Sequence, residues 1–182
     1  MTDLLNELEA CTNIDELPPA EVRARVAKDV LTLLRVGKLN GEGGTYVRAY
    51  FPQGLLEGDL KQQMGTMSTA TVCGIGALFM AHVMRFDRFQ VSGHCIYNSD
   101  ECHRLSVGSN DIHRHLRGVF STRTLAEVEN AYESSAGCDC SACKKSELVA
   151  WARAYPSRTK RMVAIMENIV RNNGEFVMSD VR

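Results

Sequence analysis

Thirteen residues from Val72 to Met84, broken only by His82, form the most apolar run of this 182-residue chain. That run constrains the fold more than any other segment. It is too short to span a bilayer, which takes about 20 residues. It is also apolar on every side, so as a helix it must be covered all round and belongs at the centre of the molecule. Gly74, Gly76, Ala77 and Ala81 lack bulk and let a neighbouring element approach the helix backbone. Each glycine costs roughly 1 kcal/mol of helix propensity, which close packing must offset. The hydroxyl residues from Ser68 to Thr71 are expected to cap the start of this helix.

The rest of the pattern is mostly helical. Residues 18 to 36 open on Pro18-Pro19, acceptable in a first turn, place Val22, Val26, Val30, Leu33 and Leu34 on one stripe, and stop at Gly37. Thr45 to Phe51 is rich in aromatic and β-branched residues and reads as a strand ended by Pro52. A second short strand is expected around Phe89 to Ile96, followed by a polar stretch from Asn98 to Asn110. Helices are expected over residues 111 to 117, over 121 to 133 with a capping box of Thr124 and Glu127, and over 146 to 154. Met162, Ile165, Met166, Ile169 and Val170 form a last stripe, stopped by Asn173-Gly174. There is no internal repeat or low-complexity tract. The expected fold is mainly α (α+β): a single domain over residues 1–182 around the central helix, with a small β element and a peripheral cysteine-rich loop at 134–146.

With 45% hydrophobic and 24% charged residues and a net charge of -1, the composition is that of a globular protein and argues against a polyanion-coating surface. Charge is nonetheless segregated. The first twenty-two residues hold six acids and no Lys or Arg, whereas Lys144, Lys145, Arg153, Arg158, Lys160 and Arg161 face only Glu147. Such a dipole can orient an encounter with a charged partner, which makes Lys144, Lys145, Arg158, Lys160 and Arg161 the candidate partner-binding residues; the plain alternative is two solvated helix faces. The N-terminus carries acid where a signal peptide needs a basic start, and the chain is expected in the cytoplasm. Seven unevenly spaced cysteines do not suggest a disulfide framework.

Three of those cysteines, Cys138, Cys140 and Cys143, fall within six residues. The C-x-C-x-x-C spacing lets one tetrahedral ion collect all three sulfurs, and a structural zinc is the expectation; redox chemistry or unliganded thiols are the alternatives. The fourth ligand must come from elsewhere. Cys102-His103, His94-Cys95, His113 and His115 are the candidates, with His103 or Cys102 preferred because Asp100-Glu101 marks an exposed turn. His113 and His115 point apart on a helix and cannot form a local pair.

Cys73 opens the central helix, where the helix dipole favours a thiolate, and is placed like a papain-type nucleophile. A general base is hard to find: His94 is only twenty-one residues downstream. A buried core thiol is the simpler expectation. His82 reads as a satisfied interior histidine, Trp151 and Tyr155 as one packed helix face, and Gly41 to Gly44 as a turn without the Lys-Ser/Thr of a phosphate loop.

The segments Cys73-Gly74-Ile75-Gly76-Ala77-Leu78-Phe79 and Arg161 to Ile169, closed by Asn172-Asn173-Gly174-Glu175-Phe176, resemble a loosely defined group of small uncharacterised bacterial and phage proteins, with Gly37-Lys38 and Gly44-Thr45-Tyr46 adding to the likeness. The resemblance implies a bacterial or phage setting and a shared helical core. It brings no activity. The expected function is a non-enzymatic protein-binding module that covers a surface of a partner, concretely one that inhibits a host defence or nucleic-acid-processing complex, with a zinc-stabilised loop shaping the contact face. A nucleic-acid-binding zinc protein and a cysteine hydrolase using Cys73 are the alternatives; a membrane or a small-molecule substrate is not expected.

Overall fold

The computed structural model describes residues 17–86, 89–99, 102–135 and 146–180. In chain order the elements are α1 (Pro19–Arg35), β1 (Leu39–Gly41), β2 (Val47–Tyr50), β3 (Gly58–Asp59), α2 (Leu60–Gln63), β4 (Thr69–Val72), α3 (Gly74–Arg85), β5 (Gln90–Val91), β6 (Ile96–Ser99), β7 (Cys102–Val107), α4 (Ser109–Leu116), α5 (Thr122–Glu133), α6 (Glu147–Ala154) and α7 (Arg158–Arg171). The fold is α+β and mainly helical. No helix among the described residues is long and apolar enough to cross a membrane.

The central helix is where the apolar run requires it. Every residue of α3 from Gly74 to Val83 is buried, and α1, α4 and α5 pack around it. At Gly76 the backbone of Tyr46 comes so close that a methyl group would overlap its carbonyl oxygen, and at Gly74 a methyl would crowd the Cβ of Tyr132. These glycines are therefore packing residues, and the propensity they cost is exchanged for close contact of the helix with α5 at Gly74 and with the sheet at Gly76. The helix does not begin at Val72. Thr69 to Val72 form a strand with alternating burial, Ala70 and Val72 inward, and Cys73 occupies the cap position without a side-chain capping bond. The expected hydroxyl cap is corrected accordingly: the side chains at 69 and 71 alternate outward from a sheet instead.

Five strands form the main sheet in the order β1-β4-β2-β7-β6, with β1 parallel to β4 and the remaining pairs antiparallel. Register places Val72, Val47 and Val107 in one row and Ala70, Ala49 and Leu105 in the next. All six are buried, so one face of the sheet joins the core. The polar stretch after Asn98 is thus partly strand, because the alternation of Leu105 and Val107 with exposed Ser106 suits a half-buried β7. The strand expected from Phe89 to Ile96 is also corrected: Gln90–Val91 pairs with Gly58–Asp59, and a 3-10 turn over Gly93–Cys95 separates it from β6.

Helix α1 begins with Pro19 in its first turn and ends in a Schellman motif, where Lys38 N–H bonds Leu33 C=O at 2.9 Å and Gly37 N–H bonds Leu34 C=O at 3.1 Å. Gly37 supplies the left-handed φ of 72° that the motif needs. Helix α7 stops the same way, with Asn173 at φ 51° and Gly174 N–H on Ile169 C=O at 2.8 Å. Helix α5 is capped by Ser121, whose hydroxyl accepts the Thr124 N–H at 3.0 Å, three residues upstream of the cap expected from the sequence. A buried ion pair ties α1 to α3: Arg85 holds both oxygens of Asp29, with Nη2 to Oδ1 at 2.8 Å.

Candidate functional site

A pocket of about 230 Å³ opens where the turn before β2 meets the N-terminus of α3 and one face of α5; it is lined by Gly44, Thr45, Tyr46, Cys73, Glu129 and Glu133. Three distant parts of the sequence converge there for identifiable reasons. Tyr46 and Cys73 are joined by the Cys73 N–H to Tyr46 C=O bond at 3.2 Å, one residue past the Val47–Val72 end of the β2–β4 ladder. Glu129 and Glu133 lie one turn apart on α5, beside the stripe of Leu125, Val128 and Tyr132 that fixes the helix in the core.

The pocket wall is hydrogen-bonded in detail. The Tyr46 hydroxyl donates to Glu129 Oε1 at 2.8 Å, and His113 Nε2 lies 3.6 Å from the other oxygen of Glu129. Glu133 accepts from the Gly44 N–H at 3.4 Å and pairs with Arg158 Nη1 at 3.1 Å. The hydrogen bond to Glu129 holds the Tyr46 phenol above its ordinary pKa, with burial and the same carboxylate's charge adding to it. Tyr132, whose hydroxyl reaches the Val72 carbonyl at 3.4 Å, is raised further, chiefly by burial.

Cys73 is a free cysteine, 3% exposed. Burial pushes its thiol from 9.0 up to about 11, and the charges of Glu133 and Glu129 act in the same direction. The amides of Ile75 and Gly76 face the sulfur and favour its thiolate, but without the alignment of a capping hydrogen bond, and burial wins. At neutral pH the sulfur is a thiol.

The residues singled out in the sequence are scattered. Cys138, Cys140, Cys143, Lys144 and Lys145 lie outside the described residues. His103 sits on β7 opposite Asn98, half-buried, and its carbonyl accepts the Phe51 N–H at 2.9 Å. Among the described residues no group of three or more His, Cys, Asp or Glu is placed to hold a metal. Lys160 is exposed on α7. Arg158 is turned inward: it pairs with Glu133, donates to the Tyr132 carbonyl and covers the Tyr132 ring at 5.4 Å. Arg161 is only 3% exposed, and its guanidinium bonds the carbonyls of Tyr155, Tyr132, Ser134 and Ala152. Its place in the candidate contact surface is therefore corrected. It gathers the C-terminal end of α5 and α6 onto α7, and a buried guanidinium with that many carbonyl partners is a structural cross-link.

Other expectations agree with the geometry. His82 is buried, with Nδ1 3.2 Å from Nε2 of His115, whereas His113 turns toward Glu129, so His113 and His115 do point apart. Trp151 is buried against Tyr155 and Phe176, at ring separations of 5.3 and 5.4 Å, and donates to the Met178 carbonyl at 2.7 Å. Glu129 and Glu133 were not singled out by motif, and Tyr46 entered only through the Gly44-Thr45-Tyr46 likeness and the strand expected over Thr45 to Phe51. The signal available for the two glutamates is their spacing of four residues on a helix that also carries Tyr132.

No protein-family model, curated protein or solved structure matches the chain.

Proposed function

We propose that the protein is a non-enzymatic binding module for a protein partner and that the Cys73 pocket belongs to its contact face. The observation that carries this is the combination of an open pocket with a buried thiol, held protonated, in its lining. A nucleophilic cysteine needs its thiolate populated near pH 7. Here burial works against the thiolate, so the pocket is suited to contact by shape and hydrogen bonding. The cysteine-hydrolase alternative has the Ile75 and Gly76 amides in its favour, and burial of the sulfur outweighs them.

The carboxylates of Glu129 and Glu133 also favour a protein over a nucleic acid, whose phosphates they would repel. With Arg161 buried and Arg158 committed to Glu133, the contact face centres on this acidic wall and less on the basic run. The bacterial or phage setting implied by the sequence resemblance makes a host defence or nucleic-acid-processing complex the class of partner to test first. The zinc-stabilised loop is a separate part of the proposal: Cys138, Cys140 and Cys143 with His103 are its ligands, and about one zinc per chain by elemental analysis supports it, whereas metal-free native protein overturns it.

Affinity capture from the lysate of its own cells, comparing the wild type with Thr45→Trp, tests the binding face. A stoichiometric protein held by the wild type and lost when the indole fills the pocket supports the proposal. Equal capture by both, or none by the wild type, overturns it.

A further inference from the structure

We infer that the Cys73 pocket receives an arginine side chain of the partner, its guanidinium held by Glu129 and Glu133; this rests on the binding-module proposal above. Both carboxylates line the pocket from consecutive turns of α5. Like charges at that spacing repel each other; Arg158 at 3.1 Å from Glu133 and His113 at 3.6 Å from Glu129 offset part of that repulsion from outside the pocket, and a cation placed between the two carboxylates offsets more of it. Their orientation is set before any ligand arrives, Glu129 by the Tyr46 hydroxyl at 2.8 Å and Glu133 by the Gly44 N–H and Arg158. A carboxylate offers about four acceptor sites, so these bonds leave capacity for further donors.

A second observation identifies the cation. Just outside the pocket the chain seats its own guanidinium on the same wall. Arg158 pairs with Glu133 at 3.1 Å, donates to the Tyr132 carbonyl, lies 5.4 Å over the Tyr132 ring, and fits against Gly43, where a methyl group would come within 3.0 Å of it. Carboxylate, aromatic ring and close backbone are the surroundings that suit a planar, weakly hydrated cation. The pocket repeats two of these elements beside it: Glu129 for Glu133, and Tyr46 for Tyr132. The Cys73 thiol lines the same pocket and adds a soft, uncharged surface beside the carboxylates.

Calorimetric titration of the folded protein at low salt tests this, with arginine capped at both ends as the probe and capped citrulline, its uncharged isostere, as the control. Millimolar binding of the arginine probe is expected, with affinity about tenfold or more lower for citrulline and for the E129Q/E133Q variant. E129Q alone, which leaves the Glu133–Arg158 pair in place, is expected to weaken binding too and serves if the double variant does not fold. Equal affinity for the two probes, undiminished binding by E129Q, or no binding of arginine to the wild type overturns the inference. Capture of a partner with wild type and Thr45→Trp involves no charge change, so the binding-module proposal can survive when this one fails. Arginine binding without any captured partner would overturn the binding-module proposal and leave only the pocket's affinity for a guanidinium.

Discussion

The backbone of Tyr46 lies directly against Gly76: its carbonyl accepts the Cys73 N–H at 3.2 Å and occupies the space that a side chain at 76 would need. One peptide group thereby fixes the sheet, the first turn of the central helix and one wall of the pocket. Gly76→Ala must push this carbonyl away, and overpacking a site of this kind costs about 3 kcal/mol. Urea unfolding is expected to show a stability lowered by that amount, which at an m-value of about 1–3 kcal/mol/M moves the midpoint down by about 1–3 M; an unchanged midpoint would mean that β2 and α3 are not in contact here.

The buried Asp29–Arg85 pair gives a second prediction. Asp29→Ala leaves Arg85 in the core without the carboxylate that binds it twice, at a cost of about 3–5 kcal/mol. Replacing both by apolar residues, Asp29→Leu with Arg85→Met, should restore most of the loss, because the desolvation penalty of the cation goes with it. Denaturation of the three proteins decides the matter.

Asn168 predicts a change at a distance. Its side chain is fully buried, donates to the carbonyls of Val177 and Asp180 at 2.9 and 3.2 Å, and accepts the Val177 N–H at 2.9 Å. Asn168→Leu removes all three of these bonds, with an expected loss of about 2–4 kcal/mol. The released segment includes Met178, whose carbonyl holds the indole N–H of Trp151, the only tryptophan. The fluorescence of the variant under native conditions should therefore shift to the red; an unshifted spectrum would mean that the segment stays docked without Asn168.

The parts of this fold that were legible in the sequence share a long period. The stripes of α1 and α7 and the apolar run of α3, broken only by His82, extend over enough residues to fix helix and buried face together. The strands were less legible because they are short. Thr69-Ala70-Thr71-Val72 abuts the apolar run and reads as a cap, although its alternation is that of a strand; Leu105 and Val107 alternate within a stretch too polar to stand out. The pocket was not legible at all as a unit. Tyr46 and Glu129 are 83 residues apart, and only the β2–β4 register and the packing of α5 on α3 bring them into contact. Arg161 misled for a related reason: a charge run shows where cations lie along the chain, not which of them the fold turns inward.

Alkaline pH should destabilise the protein partly through Cys73. Its thiol ionises near 9.0 when unconstrained and near 11 in the fold, so between those values the unfolded chain has released a proton that the folded chain retains. Stability is present in full below about 9 and falls as pH rises through about 11, by roughly 2–3 kcal/mol for this group. Cys73→Ala should flatten the decline over that window without abolishing it, since Tyr46 and Tyr132 are raised as well. A slope identical to that of the wild type would contradict the assignment.

The most direct test of recognition against catalysis is the pH dependence of Cys73 alkylation in the native protein, followed site by site with iodoacetamide and peptide mass spectrometry. A binding pocket with a protonated thiol predicts labelling at pH 7 slower than in the urea-unfolded chain, rising with a midpoint near 11. Labelling at pH 7 faster than in the unfolded chain, with a midpoint below 9, would identify an activated nucleophile and contradict it.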